Sequence, residues 1–401
     1  MRIFNKADIL VPSEKVDFEK WSVVACDQYT SQPDYWQGVE KTVGGAPSSL
    51  KIVFPEVYLP EGDGRIEKIN KTMYEYLEGG IFKEYKNTLI YVERTQADKR
   101  VKEGIIGVVD LEAYDFSKGS QSPVRATEGT VLERIPPRVK IRENAPLELP
   151  HIILLINDFE DDIIKKPQNA EKLYDFELMG NGGHLRGYKL SDADADAIIG
   201  KLDKLSDNAE GNLVFAVGDG NHSLATAKTC WENIKKTLSD EEKENHPARY
   251  CLAEVENIHS KALDFEPIHR VVFDVDENEL IDGIKEFYPD TDTEQNGGQH
   301  IKYVTASGEG DLYIKNSGSA LAVGTLQSYL DAKNVKVDYI HGEEAARTLS
   351  KKHGNVAFLL PKMDKGDLFK AVIKDGALPR KTFSMGEAND KRFYLEAKKI
   401  K

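Results

Sequence analysis

The segment Gly218–His222, GDGNH, combines two glycines, an aspartate and a histidine at a change of pattern. The β-branched and aromatic run Leu213–Val217 before it predicts a strand, and a helical pattern follows at once. The free N–H groups and positive dipole at a helix start attract anions, and glycine lets a phosphate approach the backbone closely. This arrangement predicts phosphate binding, with Asp219 placed to hold magnesium or to accept a hydroxyl proton.

Within this segment we expect Asp219 and His222 to be catalytic, and Gly220, Asn221 and Ser223 to contact phosphate. A structural alternative stays open, in which Asn221 caps the helix and His222 is merely solvated. The segment is not a Walker motif, because GxxxxGK[ST] is absent, and Ala225 breaks the GxGxxG pattern.

The helix after the turn carries one apolar stripe with 3, 4, 3, 4 spacing, made of Leu224, Ala227, Trp231, Ile234 and Leu238. A stripe of this spacing faces a core. At about 100° per residue, His222 and Thr226 fall on the other side of the helix.

A second polar turn contains Arg125, Thr127 and Glu128. Arg125 is a candidate for holding a phosphate or carboxylate in bidentate fashion, Thr127 for contacting it, and Glu128 for acting as an acid, base or metal ligand. The alternative is a surface ion pair worth about 0–1 kcal/mol.

The glycine-rich turn GNGGH, Gly180–His184, offers backbone donors at Gly182 and Gly183 and a cation at His184. The alternative is a hairpin turn between Phe176 and Tyr188, because Asn-Gly is a strong hairpin signal.

Four further candidates for binding substrate or phosphate lie in the last third of the chain. His269 and Arg270 end an extended run, and His341 closes a predicted strand where α/β sheets bind ligands. Lys381 follows Pro379 and Arg380. Exposed strand ends and a solvated lysine are the alternatives for these residues.

Predicted helices and predicted strands alternate along the chain, which predicts a mixed α/β, multi-domain fold. We expect an N-terminal domain over 1–120, a central domain over 121–292 that holds the motifs, and a C-terminal domain over 293–401 with a partly parallel sheet. The paired prolines Pro136 and Pro137 predict an extended path there.

The 401 residues are 40% hydrophobic and 30% charged, which is typical of packed domains and not of a disordered chain. The formal net charge of −14 argues against nucleic acid and against an anionic membrane surface as partners. Three unclustered cysteines and the lack of an apolar leader predict a cytoplasmic protein. Without HExxH or CxxC, no zinc is expected, nor haem or flavin. A homo-oligomer stays open.

The run DGNHS resembles the DGHHR-type signature of an uncharacterised prokaryotic family, domain of unknown function 1015. Further runs resemble other stretches of that family in the same order: VACDQY (24–29), RATEGTVLERIPPR (125–138), GNGGH, FEPIHRVVF (265–273), VDYIHG (337–342), VAFLLP (356–361) and ALPRKTF (377–383). The chain departs from the common signature at Asn221 and Ser223, which replace a histidine and an arginine. It therefore lacks one phosphate-binding cation that the resemblance implies.

The turn is also similar to the nucleotide turn of the ParB/sulfiredoxin-like superfamily, some members of which are free-serine kinases that use ADP or ATP. This resemblance implies an ATP- or ADP-dependent phosphotransferase, with magnesium, that acts on a small hydroxylated metabolite such as an amino acid. The second hypothesis is a non-catalytic nucleotide or anion sensor.

Overall fold

The computed structural model describes residues 2–24, 29, 32–386 and 391–401. These residues divide into two compact units. The first contains the described residues within 1–126, 130–263 and 386–401, and the second contains 127–129 and 264–385. Most of the VACDQY run, residues 25–28, lies outside the described residues.

The described residues form α-helices and β-strands in both units, so the predicted mixed α/β class is confirmed. The helices are α1 (Phe18–Trp21), α2 (Pro33–Val43), α3 (Gly62–Glu78), α4 (Ile135–Arg142), α5 (Asp192–Asp207), α6 (Asn221–Ile234), α7 (Asp240–Asn245), α8 (Glu277–Phe287), α9 (Ala322–Lys333), α10 (Glu343–Leu349) and α11 (Asp367–Asp375). The strands are β1 (Phe4–Asn5), β2 (Ala7–Pro12), β3 (Phe82–Thr88), β4 (Ile90–Thr95), β5 (Val101–Asp110), β6 (Val124–Ala126), β7 (Leu147–Glu148), β8 (Ile153–Ile156), β9 (Glu171–Glu177), β10 (His184–Lys189), β11 (Phe215–Asp219), β12 (Tyr250–Asn257), β13 (Phe265–Val272), β14 (Thr291–Asp292), β15 (Gln299–Val304), β16 (Glu309–Ile314), β17 (Val337–His341), β18 (Val356–Leu359), β19 (Phe383–Met385) and β20 (Lys398–Lys399).

A mixed sheet organises the first unit, in the order β6-β11-β8-β12-β5-β4-β10-β9, with β1 on β5. β11 runs parallel to β6 and antiparallel to β8, which is in turn parallel to β12. Both faces are covered: Ile105 and Val109 of β5 enter one apolar cluster, and Ile106 and Val108 enter the other. This division follows from the alternation of side chains along a strand.

The predicted boundary at residue 120 would divide this sheet, because β5, which precedes residue 120, pairs with β12 over Tyr250–Val255. Strands on both sides of residue 120 therefore share one core, and the structure has two compact units where the sequence predicted three domains.

The second unit is built on a seven-stranded sheet in the order β14-β16-β15-β18-β13-β17, with β19 on β13. All the ladders described for it are antiparallel, so the predicted partly parallel C-terminal sheet is wrong. The predicted boundary at residue 292 also falls inside this sheet, since β14 and β15 flank it and both pair with β16.

The paired prolines were predicted to force an extended path, and this is wrong. Pro136 and Pro137 lie in the first turn of α4. The first residues of a helix need no N–H donor within the helix, so proline is tolerated there.

In the part of the chain that the structure describes, no helix has the length and apolar character needed to cross a membrane.

Candidate phosphate-binding site

The turn between β11 and α6 requires a glycine at its centre. Gly220 has φ +82°, in the left-handed region, and a Cβ there would lie 3.0 Å from the Cα of Ile152. Helix α6 begins at Asn221, and its first helical hydrogen bond runs from Leu224 N to Gly220 O at 3.0 Å. No described side chain caps the helix, so the cap by Asn221 that the structural alternative required is not formed. The first N–H groups of a helix have no acceptor within it and attract anions.

Asp219 ends β11 beside these donors. Its Oδ1 accepts from the N–H of Gly220 at 2.8 Å, and its Oδ2 lies 3.2 Å from Lys391 Nζ. Burial raises the pKa of the Asp219 carboxyl, but attraction to Lys391 and His151 and the bond from Gly220 outweigh it, so the pKa lies below its ordinary value. The side chain stays a quarter exposed. Asp219 is therefore a charged, reachable carboxylate at neutral pH.

Two polar oxygens close to the turn are buried without a partner. Neither Asn221 Oδ1 nor Thr130 Oγ1 has a hydrogen-bond partner among the described residues. The segment that carries Thr130 reaches the turn, because Val131 N donates to His222 Nε2 at 3.3 Å. Buried polar atoms without partners are rare in folded proteins, and they indicate a place where a ligand or water completes the bonding.

The rest of α6 anchors the turn in the core. Leu224, Ala227 and Trp231 of the predicted stripe are fully buried, which confirms the orientation of the helix. Thr226 is buried as well, because α4 packs against α6, and its hydroxyl donates to the carbonyl of His222 at 2.7 Å. Ser223 is half-buried in the first turn of the helix.

Lys391 reaches the turn because Arg94 holds its backbone. The guanidinium of Arg94 donates to Lys391 O at 2.9 Å, and to Gly182 O at 3.0 and 2.8 Å. A Cβ on Gly182 would lie 2.5 Å from the ring of Phe393. The glycine-rich turn therefore packs against residues 391–393, which we call the C-terminal strap.

The predicted hairpin is confirmed, since β9 and β10 pair antiparallel on either side of GNGGH. Gly183 has φ +84°, and a Cβ there would lie 2.0 Å from Thr95 O, so only glycine fits. His184 has one ring nitrogen 2.5 Å from Asp175 Oδ1 and the other 2.7 Å from Glu177 Oε1. Two carboxylates within the hairpin therefore match the charge of His184.

We expect His184→Gln to destabilise the protein by about 0.2–1 kcal/mol in mildly acidic solution and by much less in alkaline solution. Burial lowers the pKa of His184, but the hydrogen bonds to Asp175 and Glu177 raise it by more. The pKa of His184 therefore lies above its ordinary value. A raised pKa gives stability that is present below about pH 6.5 and is lost as the pH rises through the folded-state value. Urea unfolding across this range is the measurement, and a cost independent of pH would contradict the ion pairs.

Arg125 lies in β6 with its side chain buried. Its guanidinium donates to Ser122 O at 2.8 Å and to Gly211 O. These contacts to backbone carbonyls are those of a structural arginine.

The remaining candidates belong to the second unit. Thr127 is buried and its carbonyl accepts from Leu378 N at 2.8 Å. Glu128 Oε1 accepts from Lys381 N at 3.0 Å, and Arg270 donates to Lys381 O at 2.9 Å. The structure therefore brings Glu128, Arg270 and Lys381 together.

The two histidines of the second unit differ in their surroundings. His269 is buried, its Nδ1 accepts from Leu360 N at 3.1 Å, and burial lowers its pKa. His341 is exposed at the end of β17, where it pairs with Ile268.

Within the described residues, no group of three or more His, Cys, Asp or Glu side chains is arranged to hold a metal ion.

The profile of the family described as "Protein of unknown function (DUF1015)" matches residues 8–363. The chain belongs to this family. The similarity of this DUF1015 protein to the ParB/sulfiredoxin-like turn stays a prediction. No curated protein matches the chain.

Several solved structures are similar to the DUF1015 chain at low identity. SbnI with C-terminal truncation from Staphylococcus aureus has a TM-score of 0.38 and 11% identity, covering 70% of this chain and 82% of its own. A free serine kinase in complex with AMP has a TM-score of 0.38 and 11% identity, covering 72% and 95%. A conserved hypothetical protein from Pyrococcus furiosus has a TM-score of 0.35 and 10% identity, covering 70% and 94%. At these scores, function has to be argued from the residues of this chain.

Sequence reasoning missed two residues at the turn of the DUF1015 protein, Lys391 and Thr130. Lys391 supplies a cation to a turn that lacks the arginine of the common signature. It lies outside the matched residues and far along the chain from Asp219, so no local spacing could have indicated it. Thr130 follows the RATEG run directly, but it is far from GDGNH along the chain, so the sequence did not indicate that the two lie close together.

Proposed function

We propose that the turn of β11 and α6 binds the phosphates of ATP or ADP, and that the protein transfers a phosphoryl group to a small hydroxylated metabolite such as an amino acid. The observation that carries the proposal is the composition of the turn. An uncapped helix start, a lysine ammonium and the unpartnered hydroxyl of Thr130 supply donors for a phosphate. The unpartnered amide oxygen of Asn221 can only accept, so it suits the hydroxyl group of the metabolite.

The donors are arranged for an anion. The N–H groups of the first turn of α6 supply fixed partial positive charge, and Gly220 removes the side chain that would keep a phosphate away. Lys391 adds a full positive charge on a flexible stem, which lets it leave Asp219 for a phosphate oxygen. Charge neutralisation and positioning are the main requirements of phosphoryl transfer.

Asp219 is the proposed proton acceptor. The metabolite hydroxyl oxygen forms a bond to the terminal phosphorus, while the bond from that phosphorus to the bridging oxygen breaks. The hydroxyl proton passes to Asp219, and the shortened nucleotide leaves with the bridging oxygen. His222, whose Nε2 faces the Val131 N–H, contacts the transferred group from the first turn of α6.

Magnesium would enter with the nucleotide. Mg²⁺ at such sites is held by one or two carboxylates together with phosphate oxygens. Asp219 is the proposed protein ligand, and the ion would supply further neutralisation of phosphate charge.

We expect Lys391→Met to weaken nucleotide binding about 10- to 100-fold, because one charge-assisted hydrogen bond contributes about 1.5–3 kcal/mol. Isothermal titration with ATP, ADP and AMP measures the affinity. Thermal shift supports it, since ligand at about 100 times Kd adds about 2.7 kcal/mol of stability.

The matched control is Lys399→Met, because Lys399 lies in the same C-terminal segment and pairs with Glu84 at 2.8 Å. Unchanged affinity in the Lys391 variant, or an equal loss in the Lys399 variant, would remove Lys391 from the site. A flat thermal response of the unmodified protein to every nucleotide would refute the proposal as a whole.

The non-catalytic alternative rests on one observation, that each carboxylate oxygen of Asp219 already has a partner, Oδ1 in Gly220 N and Oδ2 in Lys391 Nζ. Phosphorus NMR of the protein with nucleotide and free amino acids separates the two functions. A sensor binds the nucleotide and leaves it intact, whereas a phosphotransferase produces a phosphorylated metabolite.

A further inference from the structure

Two guanidinium groups lie against one tyrosine ring in the second unit. Arg270 and Arg380 are each 5.0 Å from the ring centroid of Tyr339. Arg380 Nε also donates to Tyr339 Oη at 3.2 Å, which fixes the plane of its guanidinium. Arg380 is exposed, and Arg270 is completely buried.

Arg270 carries a buried charge that no described carboxylate contacts directly, although Glu128 and Asp331 lie close enough to attract it through space. It donates to the carbonyls of Ile268, Lys381 and Arg380 at 2.5, 2.9 and 3.2 Å, and to Gln327 Oε1 at 3.3 Å. No carboxylate of the described residues forms an ion pair with it. Burial lowers the pKa of Arg270 to about 10, so it stays charged at neutral pH. A buried charge without a contacting counter-ion lowers stability, so its presence here points to a role other than stability.

The loop that carries Arg380 is held in a rare conformation. Lys381 has φ +55°, in the left-handed region that non-glycine residues seldom adopt. Arg270 donates to the carbonyls of Arg380 and Lys381, which lie on either side of the Lys381 Cα, and Glu128 Oε1 accepts from Lys381 N at 3.0 Å. Strain that is fixed by several contacts is common where a binding group has to be preorganised.

Arg380 has hydrogen-bond donors that are available to a ligand. The N–H groups on its two Nη atoms meet no acceptor among the described residues, while its Nε is occupied by Tyr339. A fixed guanidinium fork fits the paired oxygens of a carboxylate or a phosphate. The buried positive charge of Arg270 behind the loop favours an anion at this position.

We propose that Arg380 is the ligand-contacting residue of an anion site on the second unit, which takes the carboxylate or phosphate group of a small metabolite. Arg270 is a positioning residue that holds the loop and adds positive charge. The site combines residues from four separate segments of the chain, which contain Glu128, Arg270, Tyr339 and Arg380. The inference stands independently of the proposed phosphotransferase activity.

The test is protection of Arg380 from phenylglyoxal, followed residue by residue by peptide mass spectrometry of the full chain. Arg380 is expected to react readily and to be protected about tenfold by saturating anion, the equivalent of about 1.4 kcal/mol. Inorganic phosphate and acetate are the probes, and the one that protects identifies the ligand chemistry. Arg347 is the control, because it lies in the same unit and its partners are Glu309 and Glu343. The site would be overturned if neither anion slowed the reaction of Arg380 with phenylglyoxal, or if Arg347 were protected to the same extent.

Arg270→Lys tests the positioning role, because lysine keeps the charge but cannot hold several carbonyls with one planar group. We expect protection of Arg380 to fall about tenfold while the protein remains folded, as judged by its Tm. Protection that persists in a folded Arg270→Lys protein would remove Arg270 from the site. If that variant unfolds, Tyr339→Phe replaces it, since it removes only the oxygen that orients Arg380 and is expected to reduce protection.

Discussion

Asp219→Asn is expected to lower the rate of phosphoryl transfer by about 10²- to 10⁴-fold, the usual contribution of a positioned proton acceptor. Asparagine keeps an oxygen for the Gly220 N–H but cannot accept a proton. Because the pKa of Asp219 is held below its ordinary value, the acid limb of the rate profile is expected below about pH 4 for this group. Phosphorus NMR or a coupled nucleotide assay measures the rate.

Measured without magnesium, the nucleotide affinity of this variant should be retained or increased, because Lys391 is released from its partner at 3.2 Å. Asp196→Asn is the matched control, an exposed aspartate on α5 that pairs with Lys6 at 2.7 Å. Full turnover by the Asp219 variant would exclude this carboxylate as the proton acceptor. Turnover lost together with all nucleotide binding would assign Asp219 to the architecture of the turn.

Arg392→Met is expected to destabilise the protein by about 3–5 kcal/mol, because it leaves two buried carboxylates without their cation. Arg392 Nε lies 2.5 Å from Glu254 Oε2, and its Nη2 lies 2.6 Å from Glu396 Oε2. All three side chains are less than one-tenth exposed. Urea unfolding measures the loss. Since Arg392 follows Lys391 in the strap, nucleotide affinity should fall as well.

A triple variant, Arg392→Met with Glu254→Gln and Glu396→Gln, is expected to recover most of this stability, because it removes the unpaired charges together with their partner. Lys140→Met is the surface control. Its pair with Asp63 at 2.6 Å is more than half exposed, so the expected cost is about 0–1 kcal/mol. A cost for Arg392→Met no larger than that of the control would show that the two carboxylates do not depend on Arg392.

The strand, turn and helix around GDGNH could be predicted because the signals that specify them are local. The 3, 4, 3, 4 stripe from Leu224 onward orients α6, and a glycine suits the left-handed position at 220. The hairpin at GNGGH is a similar case, since Asn181 and Gly183 both have positive φ within a few residues of the strands that they join.

The proline error has a local cause too. Pro136 and Pro137 are compatible with an extended path or with the first turn of a helix. Only the position of the helix start, at Ile135, distinguishes these two outcomes.

The division into units could not be predicted, because it depends on pairing between strands that are distant in sequence. β5 lies beside β12, and residues 127–129 belong with the second unit although both of their neighbours in sequence lie in the first. Linker composition near residues 120 and 292 carries no information about such pairing.

By itself, the sequence determined which residue types meet at the start of α6, because neighbouring residues control turns, helix starts and apolar stripes. The tertiary structure alone decided that Lys391 lies beside Asp219, that Arg94 connects the glycine-rich turn to the strap, and that Arg270 is buried behind Arg380. Ionic and polar contacts act over a few ångströms of space whatever the separation in sequence, so they are known only once the chain has folded.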